Sequence, residues 1–153
     1  DIATAIAHLG ADVVIDTSQQ DPVDVISRQF DQGYPIDVAM DCLSGEHLGR
    51  CLPYVAHGGR WIVISTLAGT TTEVPLRALL TRGIHLIGSM LRNRTPAMKA
   101  RILKELVKKV WPKIEAQDIQ LAPHKVVPMG AADEAHELLS TGRKIGKIVL
   151  RIK

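Results

Sequence analysis

Short aliphatic runs alternate with amphipathic stretches along this chain, a pattern that predicts strands and helices in turn around a parallel sheet. Residues 1–8 read as the end of a helix, closed by Gly10 as its C′ residue. Val13-Val14-Ile15 predicts a short strand. Asp21 then caps a helix with Pro22 in its first position, and Val25, Ile26 and Phe30 follow on that helix. Gly33 to Pro35 predict a turn and Ile36 to Met40 a second strand. A helix is expected over 46–56, with Leu48, Leu52 and Val55 inward, ended by His57-Gly58-Gly59. Arg60 to Ser65 predict a third strand, Pro75 to Thr81 a short helix, and Ile84 to Ser89 a fourth strand.

Thr95-Pro96 opens a longer helix that carries Leu103, Leu106, Val107, Val110 and Ile114 at helical spacing, opposite its lysines. Pro112 is expected to kink or restart it, because proline lacks the N–H that the preceding turn needs. From Ile119 the texture changes. Val126-Val127 predicts a strand, Ala131 to Leu139 a helix stopped by Gly142, and Ile148 to Leu150 a last strand.

Composition sharpens this picture in one respect. Aromatics are only 3% of the 153 residues, so the core must be made of Val, Ile, Leu and Ala, which suits strands buried under helices. The net charge of +3 is a weak signal. Lys99, Arg101, Lys104, Lys108, Lys109 and Lys113 concentrate on one segment without interleaved aromatics, which is more simply a solvated helix face than a nucleic-acid patch. No apolar run approaches the roughly 18 residues of a membrane span. Cys42 and Cys51 have no partner at metal-ligand spacing and read as reduced cytosolic thiols. The six histidines are scattered, so no metal is expected. The start on Asp1-Ile2-Ala3, without an initiator Met, predicts a truncated chain or a processed product.

Ligands of open parallel sheets bind at the carboxyl ends of the strands, which here are Asp41 to Gly45, Ser65 to Gly69 and Ser89 to Arg92. All three are rich in small and hydroxylated residues and are expected to offer backbone N–H groups to a ligand. Turn-rich, polar βα loops have this composition with or without a ligand. No Gly-x-Gly-x-x-Gly and no Walker-type loop follows any strand, and Gly58-Gly59 precedes one. Leu43-Ser44-Gly45 lacks the first glycine of a Gly-x-Ser-x-Gly elbow, which disfavours hydrolase chemistry.

The order of these segments resembles the quinone oxidoreductase branch of the medium-chain dehydrogenase/reductases, closest to the p53-inducible quinone oxidoreductase type. The resemblance is carried by 9–16 (LGADVVID), 36–45 (IDVAMDCLSG), 58–65 (GGRWIVIS), 86–94 (LIGSMLRNR), 110–114 (VWPKI) and 145–150 (IGKIVL), in unbroken order. It implies an α/β fold: strands 3, 4, 5 and 6 of a Rossmann-type, doubly wound parallel sheet of order 3-2-1-4-5-6. The strand Val13–Ile15 would then either pair with Ile36–Met40 directly or with a segment outside this chain. Residues 1–118 would be the C-terminal part of the dinucleotide-binding domain, and 119–153 the return into a GroES-like catalytic domain.

The same resemblance implies a cytoplasmic, zinc-independent reductase passing hydride from NADPH to a quinone or enone. An enoyl-thioester reductase of the same superfamily, or a non-catalytic RNA-binding module, are the alternatives. Leu43 and Ser44 would lie near the adenine–ribose end of NADPH, and Ser65, Thr66 and Leu67 beside the nicotinamide ribose. Ser89, Leu91 and Arg92 would approach the carboxamide or the phosphates, and Lys147 would reach the cofactor from the last strand. Met90 stands where the branch often has Thr, which removes a hydroxyl. No proton donor is implied, and the residue that reads the ribose 2′ position would lie before Asp1. The branch forms homodimers by joining edge strands, here 84–89. With the glycine-rich turn absent, the isolated 153 residues are expected to be inactive.

Overall fold

The computed structural model describes residues 7, 9–119, 123–141 and 146–152. They group into two compact units, Ile15–Pro96 and Asp1–Val14 with Ala97–Lys153. The first unit carries a three-stranded parallel sheet of order β1-β2-β3, made of β1 (Ile36–Asp41), β2 (Val55–Val63) and β3 (His85–Gly88). Helix α1 (Pro22–Asp31) precedes β1, α2 (Gly45–Cys51) and a 3-10 turn at Leu52–Tyr54 link β1 to β2, and α3 (Leu76–Arg82) lies between β2 and β3.

Local chemistry explains most boundaries. Asp21 accepts a 2.9 Å hydrogen bond from the Val23 N–H and Pro22 follows it, so α1 starts where the capping signal placed it. The second oxygen of Asp21 meets Arg50 of α2 at 2.6 Å, tying the two helices at their exposed ends. Gly83 closes α3 in the left-handed conformation. The helix expected over 46–56 stops early because Pro53 starts the 3-10 turn, and the chain is already in strand at Val55. His57-Gly58-Gly59 is then an irregularity inside β2, not a helix end. The pairing jumps from Ile36 opposite Val55 to Val38 opposite Arg60. Gly58 takes φ +70°, and a Cβ on Gly59 would stand 3.0 Å from the Ile36 carbonyl oxygen.

The core of this unit lies on one face of the sheet. Val23, Leu48, Cys51, Leu52, Val55, Trp61 and Ile84 are buried together, with Ile26, Ala39, Val63 and Leu79 packed against them. All three helices contribute to that cluster. The opposite face carries Val38, Met40 and Ile87, each at least 40% exposed. Within this unit the helices therefore cover one face of the sheet.

One predicted strand is corrected. Val13–Ile15 belongs to no strand, and among the described residues β1 pairs only with β2. A strand is stable only when a neighbour takes up its backbone N–H and C=O groups, and no strand among the described residues pairs with 13–15. The sheet thus has three described strands instead of four. The expected helix over 1–8 falls almost wholly outside the described residues. Its closing turn is seen: Gly10 takes φ +97° and donates its N–H to the Ala7 carbonyl.

The second unit contains α4 (Pro96–Lys109), α5 (Trp111–Glu115), β4 (Pro123–Pro128), α6 (Ala132–Ser140) and β5 (Lys147–Arg151). Pro112 does restart the helix, as α5, after a break at Val110. Strands β4 and β5 pair in parallel, and Val127 of β4 is buried. Lys125 on β4 forms an ion pair with Glu134 on α6. The expected stop at Gly142 lies outside the described residues.

Candidate functional site

The parallel ladders end at Asp41, Val63 and Gly88, and the chain leaves all three strands at the same end of the sheet. Asp41 organises the first exit. One of its oxygens accepts the backbone N–H groups of Leu43 and Ser44, both at 2.8 Å, which is the turn an aspartate side chain makes with its own downstream backbone. The other accepts the indole N–H of Trp61 at 2.9 Å and lies 3.5 Å from the Ser44 hydroxyl. Burial of the Asp41 carboxyl pulls its pKa upward. The Ser44 N–H, the Trp61 indole and the Leu43 N–H outweigh that and hold it below the ordinary carboxylate value.

Ser44 takes φ 56° and ψ −138°, a conformation that favours glycine, and is 5% exposed. Its hydroxyl donates to the Ser65 carbonyl at 2.9 Å, joining the tips of β1 and β2. Next to it, Gly45 at φ +61° lets the Ala68–Gly69 backbone come so close that a Cβ would stand 3.0 Å from the Ala68 carbonyl oxygen. Ser44 and Gly69 form an isolated parallel bridge at this point. The two loops are thus packed backbone to backbone.

Beside this junction, between the tips of β2 and β3, lies a cleft of about 500 Å³. Ser65 and Thr66 line one wall, and Ser89, Met90, Asn93 and Arg94 the other, above Val63, Ile64 and Gly88. Hydroxyls, a carboxamide and a guanidinium around an apolar floor can bind a polar, anionic ligand with a flat ring.

Of the residues expected at a site, Ser65, Thr66 and Ser89 come together in this cleft. Ser44 is buried behind it as a clamp. Leu43, Leu67, Leu91 and Arg92 do not line it, and Leu67 is 76% exposed. The arginine in the wall is Arg94, two residues beyond Arg92. Lys147 begins β5 in the other unit, where it borders a small groove with His136, Leu139 and Ile148. The expectation that the loops offer their N–H groups fails for five of their residues. The Leu43 and Ser44 amides go to Asp41, Leu67 and Ala68 donate to Cys42 and Leu43, and Ser89 donates to Val63. The loops bind one another first, because a buried N–H without a partner is costly.

Asp41, Trp61, Asn93 and Arg94 were missed by sequence reasoning. An aspartate closing a strand, two and three residues before the N–H groups it accepts, is a signal that could have found Asp41. Among the described residues no three His, Cys, Asp or Glu side chains are grouped so that they could together hold a metal ion. Among them, too, no helix is long and apolar enough to cross a membrane.

A family model described as "Zinc-binding dehydrogenase" matches residues 9–150. Among curated proteins, a trans-enoyl reductase of Penicillium oxalicum is 26% identical over 157 residues, spanning 99% of this chain and 41% of the relative. An L-threonine 3-dehydrogenase of Symbiobacterium thermophilum is 31% identical over 147 residues, spanning 94% and 39%. The chain therefore spans about 40% of the length of these relatives. Among solved structures, a mycobacterial quinone oxidoreductase superposes with a TM-score of 0.76 at 22% identity, covering 98% of this chain and 46% of that one. A mycobacterial protein complexed with NADPH superposes with 0.70 at 21% identity, covering 98% and 45%.

Proposed function

The chain belongs to the zinc-binding dehydrogenase family, and from that membership we propose that it forms part of the cofactor site of an NADPH-dependent, zinc-independent quinone or enone reductase. The observation that carries the proposal is the cleft at the carboxyl ends of two adjacent parallel strands, the place where open α/β sheets bind nucleotides. Its lining fits such a group: Ser65 and Thr66 suit a ribose, Ser89 and Asn93 a carboxamide, and Arg94 a phosphate. The roles assigned above to Leu43, Ser44, Leu67, Leu91, Arg92 and Lys147 belong to the same proposal.

When bound, the nicotinamide supplies the hydride chemistry itself. The chain's own part is to orient the ring and keep water from its reacting face. Ser65 and Thr66 would hold the sugar, while Met90 and the Val63–Ile64 floor present apolar surface to the ring. No side chain in this cleft is assigned a proton transfer. NADPH bound to a structural neighbour and the quinone oxidoreductase identity of another support the reading at the level of fold. The 26% identical trans-enoyl reductase lends support to the second reading, an enoyl-thioester reductase, without raising it above the first.

Pairing of two copies along β3, which bonds only to β2 among the described strands, completes the proposal. The full-length protein carrying these residues should oxidise NADPH with a quinone faster than with a crotonyl thioester, and chelators should leave that rate unchanged. The reverse preference would give the site to enoyl reduction. Turnover of neither, with no NADPH binding, would overturn the reading. The isolated 153 residues should show no turnover.

A further inference from the structure

The strained Ser44 is buried behind the cleft, and the reason for its strain lies in what its hydroxyl does. A non-glycine residue at φ 56° and ψ −138° persists only where its surroundings over-determine it. Here the surroundings are the Asp41 carboxylate, which takes the Ser44 and Leu43 amides on one oxygen. The hydroxyl that results from this turn points across to β2 and grips the Ser65 carbonyl at 2.9 Å, and Ser65 is a wall of the cleft. The other Asp41 oxygen holds the Trp61 indole, whose ring is buried in the core under the same strand. Gly45 and Gly69 let the two loops close around this contact.

We propose that Asp41 is a positioning residue for the dinucleotide: through Ser44 on one side and Trp61 on the other, it sets the height of the Ser65–Thr66 wall against the wall at Ser89–Arg94. Asp41 touches no ligand in this arrangement. It acts on binding by holding the backbone that presents the Ser65 and Thr66 hydroxyls. The inference rests on the proposed NADPH site and adds to it a residue that determines the site's fit.

The test is steady-state kinetics on the full-length protein carrying these residues, with NADPH varied at saturating quinone. Asp41→Asn keeps the size of the side chain and loses its charge. It should raise the KM for NADPH roughly tenfold while kcat stays within about twofold, the split expected when the ground state and the transition state lose the same binding. Ser44→Ala should move KM in the same direction by a smaller factor. The double variant should be no worse than Asp41→Asn alone, since both act through one contact. The Trp61 Nε1–H proton resonance should shift in Asp41→Asn and stay in place in Ser44→Ala.

An unchanged KM in both variants would overturn the proposal. So would a fall in kcat at constant KM, or penalties that multiply in the double variant. If Asp41→Asn does not fold, Ser44→Ala decides alone, and an unchanged KM there overturns the role. A wild-type protein that neither binds nor oxidises NADPH overturns the functional reading and this inference with it. A wild type that does both, matched by its variants, overturns this inference only.

Discussion

Leu52 has no exposed surface and stands at the centre of the cluster formed by Val23, Leu48, Cys51, Val55, Trp61 and Ile84. Truncating it to alanine removes three carbons, a transfer loss of about 2.4 kcal/mol at roughly 0.8 kcal/mol per carbon. The space left behind, on the order of 60 Å³, adds about 1.4 kcal/mol at roughly 24 cal/mol per Å³ if nothing moves in. Relaxation is restricted because Pro53 and the bond from the Val55 N–H to the Leu52 carbonyl fix the 3-10 turn. Leu52→Ala should therefore cost about 3–4 kcal/mol, a large share of the roughly 5–15 kcal/mol that holds an ordinary domain together.

The two tryptophans provide the assay. Trp61 is 7% exposed inside this cluster, whereas Trp111 is 50% exposed in the other unit. In a Trp111→Phe background, the emission of Trp61 reports the unfolding of this core alone. With a urea slope of about 2 kcal/mol/M, the midpoint should fall by roughly 1.5–2 M. Leu80→Ala is the control, since Leu80 is 82% exposed and its loss should stay within about 0.5 kcal/mol. A Leu52→Ala shift under about 0.5 M, or one no larger than that of Leu80→Ala, would refute the packing described here.

Four further outcomes follow from particular residues. Burial pushes the Cys51 thiol up to about 11, and only 3% of the residue is exposed, so iodoacetamide at pH 8 should label exposed Cys42 and spare Cys51 until denaturant is added; equal labelling by mass spectrometry would contradict this. Asp41 is held below its ordinary value of 3.8 in the fold, so its ionised form stabilises the protein above that value and the contribution is lost as the pH falls through the lower, folded one. Acid titration of Trp61 emission should therefore fall more gently in Asp41→Asn than in wild type, and identical curves would argue against it. Gly45→Ala places a Cβ at φ +61° against the Ala68 carbonyl and should cost about 1–3 kcal/mol in the same urea assay, whereas tolerance would mean the loops are not in contact. Leu86→Pro on the edge strand β3 should yield monomers by sedimentation with Trp61 still buried, and a dimer that survives would place the interface elsewhere.

How much of this was legible before the fold was known depends on the range of the interaction involved. Asp21-Pro22 named the start of α1, and Pro112 named the break before α5, because capping and the missing proline N–H act within one turn. Ser65, Thr66 and Ser89 were legible as strand exits, since a strand's end is a local event. The register inside β2 was not legible. His57-Gly58-Gly59 ends no helix, and only the approach of Ile36 to Val55 and Gly59 shows that the segment belongs to a strand. Val13–Ile15 has the composition of a strand without being one, because a strand is completed by a neighbour and not by its own residues.

The chain's sequence alone determined most of the order of elements and the aliphatic core, and pointed to the strand tips as candidate ligand positions, all consequences of periodicity and short-range steric rules. Only the tertiary structure decided which tips meet. It drew Ser65, Thr66 and Ser89 to one cleft with Asn93 and Arg94, left Leu43, Leu67, Leu91 and Arg92 out of its lining, and engaged the N–H groups of Leu43, Ser44, Leu67, Ala68 and Ser89 within the protein itself. It also joined Asp41 to Trp61 across 20 positions of sequence. Such contacts depend on how parallel strands register against each other, and that register is set by packing across the sheet, which no window of neighbouring residues contains.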